Sequence, residues 1–153
     1  MSVVQLGLPT LLFVVLTLAG CQTDTGPESV KETSASKSTL AERIQFLESY
    51  VKFRRKYDKL EYNIYYQNNS GGRLPGPSDW DIRLVAQVPS DEIAQWISPD
   101  MKAGNPPKDG WHLSTANEID VNNVTQWHIA GGRSLGIDPD GSIIVYRSNS
   151  LGE

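Results

Sequence analysis

The sequence predicts an α+β fold, with a long N-terminal helix and one short helix packed on an antiparallel sheet of about five strands. Three observations carry that expectation. Apolar residues recur at helical spacing from residue 40 to 60, a period of two follows near residues 60 and 80, and Gly-, Pro- and Asp-rich turns divide the C-terminal third into short β segments. The 153 residues carry 14 Lys and Arg against 18 Asp and Glu, a mildly acidic balance that lacks the basic footprint of a nucleic-acid-binding protein.

The chain begins with twenty residues that contain no charged side chain. Leu11-Leu12-Phe13-Val14-Val15-Leu16-Thr17-Leu18 has the length of a signal-peptide apolar region and falls short of the ~20 apolar residues of a membrane-spanning helix. Small Ala19 and Gly20 precede Cys21. Leu18-Ala19-Gly20-Cys21 resembles the lipobox of bacterial lipoproteins, and the resemblance covers only the leader and Cys21. It implies removal of the leader before Cys21, two acyl chains on its sulfur and a further acylation of the new amine. Two or three chains hold a bilayer stably where one does not, because each buried methylene contributes ~0.8 kcal/mol. Gln22 in place of Asp implies an outer-membrane destination facing the periplasm; in a Gram-positive envelope the same box implies the outer face of the plasma membrane. The competing reading of Cys21 is the end of an ordinary secretory signal or of a membrane anchor.

The expected organisation is therefore a signal peptide over 1–20, a lipidated Cys21 with a flexible tether over 21–38, and one globular domain over 39–153. Cys21 is the only cysteine, so its use for a lipid leaves no thiol for a disulfide, a zinc site or a nucleophile. The covalent lipid is the only cofactor expected, and no metal. Residues 22–38 are rich in Ser, Thr and charge with almost nothing to bury, which predicts a spacer.

Thr39-Leu40-Ala41-Glu42 has the form of a capping box and opens the predicted helix. Leu40, Ile44, Leu47 and Val51 form one apolar stripe, and Phe46, Tyr50, Phe53, Tyr57 and Leu60 a second beside it. Glu48, Lys52, Arg55, Lys56 and Lys59 fall on the opposite arc. That arc is a solvated face, or alternatively a contact for anionic headgroups worth ~1 kcal/mol per cation.

Strands are expected over 62–66 and over 80–88, joined through the loop 68–79 as a hairpin. Pro89-Ser90-Asp91-Glu92 opens a short helix, with Ser90 as its N-cap and Ile93, Trp96 and Ile97 docking it. Residues 99–123, interrupted by Trp111-His112-Leu113, read as a long connection and as the place to look for a site. Strands over 125–130, 134–137 and 142–147 complete a meander through the Gly131-Gly132 and Asp138-Pro139-Asp140-Gly141 turns.

Both histidines, His112 and His128, follow a tryptophan, and a strand under each would aim them away from it, exposed or towards each other. No nucleophile elbow, phosphate loop or dinucleotide fingerprint occurs. The leading expectation is a lipid-anchored envelope protein, non-catalytic, that binds another envelope protein as an accessory or adaptor. Its candidate surface comprises Trp111, His112, His128, Lys52, Arg55, Lys56 and Lys59. The alternatives are a periplasmic immunity or inhibitor lipoprotein and an envelope hydrolase that pairs Asp79 or Asp81 with a histidine.

Overall fold

A computed structural model describes residues 28–70 and 76–150. Leu18, Ala19, Gly20 and Cys21 lie outside them, as do residues 22–27 of the expected tether; residues 28–38 are described. The fold is built on one antiparallel sheet of seven strands: β1 (Val30–Thr33), β2 (Lys59–Gln67), β3 (Asp79–Gln87), β4 (Lys102–Ala103), β5 (Gln126–Ala130), β6 (Arg133–Asp138) and β7 (Ile143–Asn149). Their order across the sheet is β1-β2-β3-β7-β6-β5-β4. Two meanders, one from each half of the chain, thus join along β3 and β7.

This corrects the expected architecture in two respects. Among the described residues the sheet has seven strands rather than about five, and the helices are three short ones: α1 (Leu40–Tyr50), α2 (Ile93–Trp96) and α3 (Trp111–Thr115). Both additional strands are edges. β1 lies inside the stretch read as a tether, and β4 inside the connection after α2.

The capping box forms as the sequence predicts. Glu42 N–H donates to Thr39 Oγ1 at 3.2 Å, and Thr39 N–H to Glu42 Oε2 at 3.0 Å. The helix nevertheless stops at Tyr50, because Val51 adopts extended backbone. From there Val51, Phe53, Arg55 and Tyr57 turn inward while Lys52, Arg54 and Lys56 point to solvent. Phe53 and Tyr57 are four residues apart, a spacing that satisfies a helix and an extended chain equally, so the aromatic stripe did not discriminate between them.

Side chains alternate across the sheet, and both of its faces are covered. On the first face Leu60, Tyr62, Ile64, Ile82, Leu84, Ala86, Leu135, Ile137 and Ile144 pack under Leu47 of α1, Trp96 of α2 and the extended segment between α1 and β2. Trp96 is buried; Ile97, expected to dock with it, is 38% exposed. The 3-10 turn Ser90–Glu92 that precedes α2 is capped by Pro89 rather than Ser90, without a side-chain hydrogen bond.

On the second face Val85, Trp127, Ile143 and Val145 meet Trp111, Ile119 and Val121. The long connection is therefore a third layer, with α3 at its centre. Gly110 enters α3 with φ +58°, in the left-handed region that glycine adopts without strain. The buried Glu61 carboxylate holds the far end, accepting from Asn117 N–H at 2.7 Å and Glu118 N–H at 2.8 Å.

This layer depends on Gly136. A Cβ there would stand 2.6 Å from both Val124 Cγ1 and Val145 Cγ2 and 2.9 Å from the Trp127 ring, whereas one on Gly76 would meet nothing within 4 Å among the described residues. Overpacking of this kind costs about 1–3 kcal/mol. Gly136→Ala is expected to lower the midpoint of urea unfolding accordingly, with Gly76→Ala close to wild type.

Candidate functional site

Arg83 and Arg147 face each other across β3 and β7 on the second face of the sheet. Like charges in direct opposition destabilise a strand pair. Asp81 removes the conflict: it accepts from Arg83 Nε and Nη2 at 3.0 and 2.6 Å and from Arg147 Nε and Nη2 at 2.8 and 3.1 Å. Burial alone would push the Asp81 carboxyl up, but the hydrogen bonds and charges of Arg147 and Arg83 outweigh it and hold the group below its ordinary value. Arg147 Nη1 also donates to Asp109 at 2.9 Å, which fastens the connection to the sheet.

The two histidines do not meet. Trp111 belongs to α3 rather than to a strand and is 2% exposed, which removes it from any contact surface. His112 packs edge-on against Trp111 and Trp127, with ring centroids 5.8 and 5.2 Å apart. Its Nδ1 is buried without a hydrogen-bond partner among the described residues. Burial pushes the imidazole pKa down against the raising influence of Asp109, so the ring is neutral at neutral pH. His128 lies opposite Leu135 in the β5–β6 register, on the other face of the sheet from Trp127. The acid closest to His112 electrostatically is Asp109, and the hydrolase candidates are engaged elsewhere: Asp81 by two arginines, Asp79 by Asn69 Nδ2 at 3.3 Å. Among the described residues no group of three or more His, Cys, Asp or Glu is arranged to hold a metal ion.

The four cations of the candidate surface do not share a helix arc. Lys52 and Lys56 point to solvent from the extended segment, Lys56 reaching Glu92 at 3.4 Å, while Lys59 is exposed at the start of β2. Arg55 instead turns inward, and its Nη1 and Nη2 donate to the side-chain and backbone oxygens of Gln95, each at 2.6 Å.

That bond places Arg55 on the wall of a pocket of about 270 Å³ beside α2. Phe53, Trp96, Met101 and Tyr146 supply its apolar lining, and Arg133 stands with Arg55 among the polar residues. Phe53 lies 5.1 Å from Trp96 and 5.1 Å from Tyr146, centroid to centroid, so the wall is an interlocked aromatic cluster. Arg133 is paired with Asp100; among the described residues Arg55 donates to the neutral Gln95 alone. The buried Trp96 Nε1–H has no acceptor among the described residues, and a buried donor left unsatisfied costs about 1–3 kcal/mol.

Of this pocket the sequence singled out Arg55 alone. Phe53 and Trp96 read as core, and Arg133 and Tyr146 arrive from the far end of the chain through the β6–β7 pairing, which no local pattern announces. No protein-family model, curated protein or solved structure matches the chain.

The network sets an acid response. His112 has a folded-state pKa below its ordinary 6.5, so the unfolded chain binds its proton first and stability falls as pH drops through that value. Asp81, also lowered, loses its contribution further down, as pH falls below its ordinary 3.8 towards the folded-state value. Thermal midpoints measured from pH 7 to 3 are expected to decline in both windows, and His112→Phe to flatten only the upper one. Arg147→Met is expected to cost about 3 kcal/mol, the lower end for a broken buried pair, because the pair is part-buried and Arg83 still serves Asp81.

Proposed function

We propose that the chain is a lipid-anchored protein of a bacterial envelope, held to the membrane through Cys21, whose domain binds another envelope protein as a non-catalytic accessory or adaptor. The observation that carries this reading is the aromatic pocket beside α2, open at the surface and flanked by the exposed Ile97. An apolar recess with an arginine on its wall is the kind of site in which a partner's anchoring side chain seats.

The polar groups elsewhere support binding over chemistry. Asp81 is committed to Arg83 and Arg147, and His112 is wedged between tryptophans. The resemblance of Leu18-Ala19-Gly20-Cys21 to a lipobox supports the anchor. Nine residue steps lead from Cys21 to Val30, and a fully extended chain of that length spans at most about 32 Å. A lipid on Cys21 would thus keep the β1 edge of the sheet close to the bilayer surface.

Two measurements test the reading. Cys21→Ser is expected to abolish acyl labelling and membrane retention while the unfolding midpoint of the domain stays at the wild-type value; retention of that variant in washed membranes would overturn the anchor. Cross-linking in intact cells is expected to capture a discrete envelope protein with the wild type and much less of it with Ile97→Asp, a change at an exposed position. Equal capture by both would remove this face from the interaction.

A further inference from the structure

The pocket beside α2 has a chemistry specific enough to name what enters it. Its volume of about 270 Å³ leaves room for an apolar side chain. The lining is aromatic and thioether on one side, from Phe53, Trp96, Tyr146 and Met101, and carries no carboxylate. Arg133 already meets Asp100, but Arg55 has no acidic partner within ion-pair distance among the described residues. Its guanidinium is fixed by two hydrogen bonds to Gln95, so it is oriented without being neutralised. The Trp96 ring lines the same pocket.

From this juxtaposition we infer that the pocket receives a segment of the partner protein in which an apolar side chain is followed directly by an acidic residue. The apolar side chain enters among Phe53, Trp96, Met101 and Tyr146, and the carboxylate pairs with Arg55. This deepens the protein-binding reading above and rests on it. The charge on Arg55 excludes a basic segment, and the narrow apolar recess disfavours an acidic segment without an apolar residue. Ile97, exposed at the same edge, extends the apolar contact beyond the recess.

The test uses the full chain in lipid nanodiscs, labelled with 5-fluorotryptophan and followed by fluorine NMR. Four signals are expected from the four tryptophans, and Trp96→Phe identifies the one from position 96. Titration with N-acetyl-Leu-Glu-amide is expected to move the Trp96 signal saturably while the other three stay in place. N-acetyl-Leu-Gln-amide, which lacks the charge, is expected to bind up to about fivefold more weakly, the size of a partly exposed ion pair. Arg55→Gln is expected to erase that difference, with the remaining signals reporting an intact fold.

An unmoved Trp96 signal, or equal affinity for the two peptides, overturns the inference. Saturation by octanoate at lower concentration than by the acidic peptide overturns it in favour of a fatty acyl ligand. The protein-binding reading fails separately: if cells yield a cross-linked partner equally with wild type and Arg55→Gln, the partner stands and the pocket assignment falls. If the peptide binds as expected but no partner is captured, the recognition chemistry stands and the adaptor role falls.

Discussion

Val85 and Val145 sit opposite each other in the β3–β7 pair, fully buried, on the face of the sheet turned away from α1 and α2. A two-layer domain would leave that face in water, and burying one such side chain is worth about 1.5–3 kcal/mol. The apolar pair therefore obliges the chain to supply a third layer. Residues between β4 and β5 do so by folding back over the sheet with Trp111, Ile119 and Val121 underneath. What looks like an overlong connection is the cover of a second core, and the sheet in the middle is buried on both sides because of it.

Polar contacts fix where that cover sits. Glu61 accepts two backbone N–H groups at the end of α3, and Asp109 accepts from Arg147 before its start. The same Arg147 shares Asp81 with Arg83, so the charge balance between two central strands and the placement of the third layer are one system. The pocket beside α2 stands apart from it, on the opposite face, where Arg55 is oriented by a neutral amide and keeps its charge. One arginine pair is neutralised and structural; a third arginine is held in position with its charge unmet.

β2 and β3 were legible from their period of two, β5, β6 and β7 from the turn residues that bound them, and the capping box because Thr39 and Glu42 satisfy each other locally. The end of α1 was not. Phe46, Tyr50, Phe53 and Tyr57 continue a helical stripe, and only the inward Arg55 between Phe53 and Tyr57 belongs to the extended alternative. β1 holds one apolar residue in four and β4 is two residues long, so neither carries a pattern; pairing with β2 and β5 creates them. In sequence Trp111 sits among Gly, Pro and Asp, a setting that points to the surface. Its burial follows from Val85 and Val145, residues far from it in sequence, and could not be inferred before the sheet was assembled.

The edge strand β1 also has a mechanical meaning. Any tension on the chain ahead of Val30 reaches the sheet through four residue pairs, from Val30 against Tyr66 to Thr33 against Asn63. A pull directed along the strand loads the four pairs together, and they resist as a unit. A pull directed across it opens them one after another from Val30, as far as the Ser34–Ser36 turn, where buried Ser34 begins the next point of attachment. The grip of the domain on its own N-terminal segment is therefore set by the direction of the load as much as by its strength.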